Sequence, residues 1–220
     1  MKGESVVVFG GGRIAERKVR RLLEHSACIK VISQGFTDDL RDLGINDQIE
    51  LIEVDLEVSN VISKNISGAA IVIAATDSPE INKLVSQSAR ENNVLVNAVD
   101  KPDLSDFYFP AVARKGSIRV GVCTDGRSPL MSKLIKEHIQ VHITEEDVLG
   151  VDLQDYSRNI AKMKIPGQGN RRDALYKIAK DPCVQSSLAK GNLPEAKVRA
   201  MEVLEAFQES AGTLSESKGE

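Results

Sequence analysis

Near the start of this chain an apolar run, Val6-Val7-Val8-Phe9, breaks into Gly10-Gly11-Gly12 and resumes as the charged, amphipathic stretch Arg13-Ile14-Ala15-Glu16-Arg17-Lys18. Few folds accept that order. A strand that ends in a glycine turn and opens directly into a helix is the first half of a βαβ unit, and Gly10, Gly12 and Ala15 fit the G-x-G-x-x-A form of the dinucleotide fingerprint. Each small residue has a physical task. Gly10 permits the tight turn, Gly12 lets a pyrophosphate approach the backbone, and Ala15 lets the helix pack close to the sheet. The helix N-terminus then offers unpaired N–H groups and the positive end of its dipole to phosphate oxygens. Glycine-rich turns also serve purely structural ends, but the placement between a strand and a helix favours a nucleotide site.

The alternation continues for about half the chain. Ser5–Phe9 reads as a first strand and Arg13–Glu24 as a helix burying Ala15, Val19, Leu22 and Leu23. Cys28–Ser33 is a second strand, Thr37–Leu43 a short helix, Ile49–Val54 a third strand and Ala69–Ala75 a fourth. Pro79–Asn92 follows as a helix with Ile81, Leu84, Val85 and Ala89 inward and Pro79 in its first turn, and Leu95–Val99 is a fifth strand. Strands joined by helical crossovers imply a parallel α/β sheet with right-handed connections. Aromatic residues make up only 4% of the chain and there is no Trp, so the core must be aliphatic, as buried parallel sheets are.

After Asp100 the pattern changes. Lys101-Pro102-Asp103 is a turn signal, Phe107-Tyr108-Phe109-Pro110 is an aromatic cluster, and Ser117–Cys123 alternates as another strand. Ser128-Pro129 reads as an N-cap followed by Pro at the first helical position, opening a helix to about Val141. From Thr144 onward no strand pattern recurs. A helical stretch runs, with breaks, to Lys164, Pro166-Gly167-Gln168-Gly169 is a linker, and Asp181-Pro182 and Leu193-Pro194 each restart a short helix. The expected organisation is a Rossmann-like parallel-sheet domain over 1–112, a segment over 113–143, a small helical domain over 144–210 and a disordered polar tail over 211–220.

The net charge of −3 gives no global argument for nucleic acid. No run resembles a membrane span or a signal peptide. Cys28, Cys123 and Cys183 are isolated and read as reduced cytosolic thiols. His138 and His142 can share a helix face, but no third ligand accompanies them, so no metal site is expected.

Candidate chemistry gathers at the carboxyl ends of the strands, where ligands bind in such sheets. The second strand ends at Ser33-Gln34-Gly35, with neither the acid that usually holds the ribose of NAD nor an Arg for a 2′-phosphate. Thr76 and Asp77, after the fourth strand, read equally as cofactor-lining residues and as caps of the next helix. Asp100, after the fifth, reads by itself as a turn former before Lys101-Pro102; its functional reading is a general acid or base facing a substrate in the crevice. Arg114, Lys115, Arg119, Arg127, Lys133 and Lys136 follow. They suit a solvated face or, turned to the crevice, a polyanionic substrate.

Taken in order, Gly10-Gly11-Gly12-Arg13-Ile14-Ala15-Glu16-Arg17-Lys18, Ile73-Ala74-Ala75-Thr76-Asp77 with Asn82, Val96-Asn97-Ala98-Val99-Asp100, Phe107-Tyr108-Phe109-Pro110-Ala111 and Gly126-Arg127-Ser128-Pro129 resemble the precorrin-2 dehydrogenase family, the N-terminal module of sirohaem synthases. The resemblance spans about Ser5 to Val141. It implies NAD-dependent oxidation of precorrin-2 to sirohydrochlorin, with iron insertion in some members. It places Arg13 and Ile14 at the pyrophosphate and Gln34 and Gly35 at the adenosine end, and it matches Asp100 to the family's essential carboxylate. It also implies an intertwined homodimer built through about Ala113–Val141. No methyltransferase domain follows, so a stand-alone module is expected, and the reduced thiols suggest a cytoplasmic one. Two other readings compete: a regulatory NAD-sensing Rossmann module without catalysis, and a dehydrogenase of another metabolite. A regulatory module has no need of Asp100 or of the Arg127-Ser128-Pro129 loop.

Overall fold

The structure is a computed structural model that describes residues 3–57, 60–99 and 101–216, with side chains to residue 209. It divides into two compact units, one of residues 1–109 with 123–128, the other of residues 110–122 with 129–220.

In the first unit five strands, β1 (Ser5–Phe9), β2 (Cys28–Ser33), β3 (Glu50–Glu53), β4 (Ile71–Ala74) and β5 (Leu95–Ala98), form a sheet in the order β3-β2-β1-β4-β5. Every pairing is parallel; Val8, for example, lies between Val31 and Ile73. The order reverses between β1 and β4, which is the switch point where this architecture opens its crevice. The strand period of two divides β1 between two cores. Val6 and Val8 pack with Ile29, Val31 and Ile73 against α1 (Arg13–Leu23) and α2 (Asp38–Ile45). Val7 and Phe9 pack with Ile32, Val72 and Val96 against α3 (Val61–Ile66) and α4 (Pro79–Glu91). A sheet covered on both faces explains why its strands read as unbroken apolar runs.

The two sheet edges are closed differently. β3 carries Glu50 and Glu53, both exposed, and charge discourages further strand pairing there. At β5 the edge is covered by side chains. The Val96 N–H donates to Asp106 Oδ2 (2.9 Å) and the Val96 carbonyl accepts from the Asp106 N–H (2.8 Å). Ser105 Oγ accepts from the Ala98 N–H (3.0 Å), and Asn97 Nδ2 donates to the Phe107 carbonyl (2.8 Å). Phe109 then packs on the α1-side core with the Lys18 ammonium 4.1 Å from its ring centre. The aromatic cluster is therefore part of the edge closure.

In the second unit, β6 (Ala111–Lys115) and β7 (Ile118–Val122) form an antiparallel hairpin, and α5 (Pro129–His142) packs on it, with the Gln140 side chain bonded to both backbone groups of Arg114 (2.7 and 2.8 Å). α6 (Glu145–Lys164) begins at Thr144 with a reciprocal capping box to Asp147. With α7 (Gln168–Lys180), α8 (Pro182–Ala189) and α9 (Leu193–Glu216) it encloses a core of Leu153, Ile165, Ile178, Val184 and Leu204 with Ala161, Ala174, Ala196 and Ala200 at the close approaches.

Five readings of the sequence are corrected. α6 runs unbroken from Glu145 to Lys164, where breaks were expected. Leu84 is 53% exposed, because α4 turns Asn82, Val85, Ser86 and Ala89 inward. Residues 111–112 belong to the second unit rather than to a sheet domain ending at 112, because β6 pairs only with β7. Gln168 and Gly169 lie in α7, not in a linker. α9 is long, not short, and runs through 211–216, expected as tail; 217–220 lie outside the described residues.

Candidate functional site

The glycine turn works as three separate contacts. Gly10 has φ +112° and lies so close to the Ala75 carbonyl that no Cβ fits. That approach joins the ends of β1 and β4. Gly11 lies under the Gly35 carbonyl, with its own carbonyl accepting from the Thr37 N–H (3.0 Å), and so holds the β2–α2 loop against the turn. Thr37 caps α2 and also donates its hydroxyl to Glu16 of α1 (2.9 Å). Gly12 differs: a Cβ there would meet nothing within 4 Å. It is the N-cap of α1 with extended backbone and no side-chain cap, so the first N–H groups of α1 remain available. An anion can reach those groups at Gly12 because no side chain fills the space in front of them.

A cleft of about 510 Å³ lies over this turn. Gly10, Gly12, Arg13, Ile14, Gln34, Thr76 and Asp77, all expected from the sequence, line it. Ala15 and Gly35 act from behind. Ala15 is fully buried in the α1-side core and sets the helix–sheet spacing, while Gly35 braces Gly11. Ser33, Leu56, Glu57, Ala75, Ser78 and Ile81 also line the cleft and were missed. Leu56 and Glu57 follow β3, and no local motif marks that loop.

The β4–α4 turn shows that neither Thr76 nor Asp77 is the N-cap of α4. Ser78 caps α4, its hydroxyl accepting from the Ile81 N–H. The Thr76 N–H donates to Asn82 Oδ1 (3.1 Å) and its carbonyl accepts from Asn82 Nδ2 (3.0 Å), so a buried amide pins the turn. The Thr76 hydroxyl, 2.8 Å from the same oxygen, belongs to that network. Asp77 is exposed at the cleft and caps nothing.

Asp100 lies outside the described residues. Its neighbour Val99 donates to the Ala74 carbonyl (2.9 Å), at the carboxyl edge beside β4. Beyond it a tight turn, Pro102–Leu104, leads to the edge-closing residues. The loop 124–128 returns to this region of the same unit. Gly126, with φ +74°, packs against Tyr108 and Pro102, and the Thr124 hydroxyl donates to the Ser128 carbonyl (3.0 Å). Exposed Arg127 sits in that turn. Of the other cations, Arg114 and Arg119 face each other across the hairpin, Lys115 pairs with Glu145 and Lys133 with Glu137. On α5 the His138 and His142 rings lie 4.7 Å apart, with His142 Nδ1 2.8 Å from the His138 carbonyl. Among the described residues no group of three or more metal-ligating side chains comes together. The three cysteines are free and exposed.

Residues 1–111 match the family model described as "Putative NAD(P)-binding". The precorrin-2 dehydrogenase of Methanosarcina barkeri is 32% identical over 209 residues, which cover 94% of this chain and 92% of that one. Siroheme synthase 1 of Aeromonas salmonicida is 26% identical over 98% of this chain, which spans only 44% of that longer protein. A solved structure named SirC, precorrin-2 dehydrogenase, superposes with a TM-score of 0.73 over 91% of this chain and 96% of its own, at 23% identity, a likeness of fold.

Proposed function

This chain belongs to the precorrin-2 dehydrogenase family, and from that premise we infer that it oxidises precorrin-2 to sirohydrochlorin with NAD⁺ as the oxidant. The observation that carries the reading is the open cradle at Gly12, set between a glycine turn locked at Gly10 and Gly11 and the uncapped start of α1. The regulatory alternative without catalysis does not account for membership in a family of enzymes.

The residues present fit a dinucleotide. Gly12, Arg13 and Ile14 would hold the pyrophosphate through N–H groups and the Arg13 charge, and Gln34 would lie at the adenosine end, with Gly35 bracing the turn from behind. When bound, the nicotinamide supplies a hydride acceptor. The protein's own contribution is to hold substrate against it in one geometry, since proximity and the gain in conjugation do most of the work. Asp100, which follows Val99 beyond the end of β5 at Ala98, takes the proton that leaves the macrocycle. Arg127, in the loop packed on Pro102 and Tyr108 within the same unit, would meet a substrate carboxylate.

A homodimer formed through β6, β7 and α5 is part of the proposal. Leu130, Met131, Leu134 and Val141 of α5 are 65, 46, 47 and 76% exposed, and an apolar stripe of that kind marks an interaction surface. No helix among the described residues is long and apolar enough to cross a membrane, and a cytoplasmic location is the setting proposed for this enzyme and its free thiols.

The test is incubation with precorrin-2 and NAD⁺, followed by the sirohydrochlorin spectrum; no spectral change in the presence of both would overturn the reading. General-base catalysis contributes about 10² to 10⁴ in rate, so Asp100→Ala should lose at least about a hundredfold while still binding NAD⁺. Normal turnover by that variant would return Asp100 to a turn-forming role. Dehydrogenation alone is proposed; sirohaem formation from sirohydrochlorin and Fe²⁺ well above the uncatalysed rate would add chelation to it.

A further inference from the structure

The cleft contains a carboxylate that the fingerprint does not predict. Where β2 ends, Rossmann sites for NAD usually present an Asp or Glu to the ribose hydroxyls. Here that position is Ser33-Gln34-Gly35. The next strand supplies a carboxylate instead. β3 pairs with β2 so that Ser33 lies beside Glu53, and the Val54 N–H donates to the Ser33 carbonyl (2.9 Å). The chain leaving β3 therefore starts at the edge where the adenosine half of a dinucleotide lies. It then turns back. Asp55 Oδ1 accepts from the Glu57 N–H (2.9 Å), closing a local turn, and Leu56, 7% exposed, anchors that turn in the α4-side core. The result is that Glu57 lines the cleft together with Ser33 and Gln34.

We propose that Glu57 selects NAD over NADP, its carboxylate accepting from the adenosine ribose hydroxyls in place of the residue after β2. The inference rests on the dinucleotide reading above and names the group within that site that discriminates. Charge supports it. Among the cleft-lining residues Arg13 is the cation, and it stands at the start of α1, at the pyrophosphate end. A 2′-phosphate near Ser33 would meet the Glu57 carboxylate, and among the described residues no cation other than Arg13 lines the cleft. Asp77, the other acid of the cleft, follows β4, on the far side of the glycine turn from β2 and β3. No hydrogen bond or ion pair to another described residue engages the Glu57 side chain, so its oxygens are available to hydroxyl donors.

Calorimetry on the intact protein tests the assignment, with NAD⁺ and NADP⁺ and with the half-ligands 5′-AMP and adenosine 2′,5′-bisphosphate. The parent protein should prefer NAD⁺ and 5′-AMP. One charge-assisted hydrogen bond is worth about tenfold or more in affinity, so Glu57→Gln should narrow the NAD⁺ to NADP⁺ preference by at least about tenfold. Glu57→Arg should bring adenosine 2′,5′-bisphosphate to parity with 5′-AMP or better. Glu53→Gln, an exposed neighbour on β3, serves as the control and should leave the preference unchanged. A preference within about twofold of the parent's in Glu57→Gln, with NAD⁺ still binding, would overturn the role of Glu57 alone. Absence of binding of either dinucleotide to the parent protein would overturn the cofactor site itself.

Discussion

Gly12→Asp should move stability and cofactor binding in opposite directions. The Gly12 backbone, at φ −85° and ψ −176°, suits any L residue, and a Cβ there meets nothing within 4 Å. Asp is a better N-cap than Gly by a few tenths of a kcal/mol, and a negative charge at a helix N-terminus adds about 0.3–1 kcal/mol. The ligand-free protein should therefore melt at the parent temperature or up to about 5 °C higher. Binding should collapse. A carboxylate about 5 Å from one phosphate charge, at an effective dielectric constant of about 20, costs about 3 kcal/mol, or more than about a hundredfold in Kd. Gly10→Ala gives the reverse signature. Its φ of +112° and the adjacent Ala75 carbonyl put strain into the fold, and a loss of about 2 kcal/mol or more is expected before any ligand is added. Thermal unfolding without cofactor and calorimetry with NAD⁺ read the two effects separately. A Gly12→Asp protein that binds NAD⁺ within about threefold of the parent would refute the placement of the pyrophosphate. One that melts far below the parent would refute the open cradle.

Asn82→Leu should cost about 1–3 kcal/mol, because it leaves the Thr76 N–H and carbonyl without their partners, and it should weaken NAD⁺ binding by loosening the turn that carries Asp77; unchanged melting would show that the amide is dispensable. At the start of α8, hydrogen bonds from the Arg199 guanidinium, with help from the Val184 and Cys183 N–H groups, hold the Asp181 carboxyl below the usual carboxylate range. A lowered folded-state pKa contributes stability above the unfolded value of about 3.9, lost as pH falls through the folded value, so Asp181→Asn should flatten the acid limb of a stability–pH curve below about pH 4 and leave a constant deficit above it. A parallel acid limb in the variant would remove Asp181 from that account. Leu130→Glu with Leu134→Glu on α5 should convert a dimer into a folded monomer in sedimentation at micromolar concentration; a parent protein that sediments as a monomer would refute the proposed interface.

The sheet was legible because its signals are local and agree with one another. Val6 to Phe9 alternate between two cores, and the strands are continuous apolar runs. Caps are less legible, because several short polar residues can precede one helix: α4 is capped by Ser78, after Thr76 and Asp77. What lay beyond local pattern was missed. β6 has Arg114 and Lys115 at its end and becomes a strand only through β7. α3 is short, and its cap Asn60 is in a left-handed conformation. Leu84 fits an apolar stripe, yet α4 buries Asn82 and Ser86 on its inner face.

The same division holds for the site. The sequence alone determined the glycine turn, the helix that starts from it and the class of ligand, because a backbone that must approach an anion tolerates only small residues at fixed spacing. The tertiary structure decided which glycine does what. Gly10 and Gly11 owe their size to the Ala75 and Gly35 carbonyls, which come from other loops, and only Gly12 is left open to a ligand. It also decided that Ala15 works from inside the core, that Asn82 rather than a cap residue holds Thr76, and that Glu57 stands beside Ser33 and Gln34. Each of these pairings joins segments brought together by sheet register, and register becomes specific only when buried faces from distant strands meet.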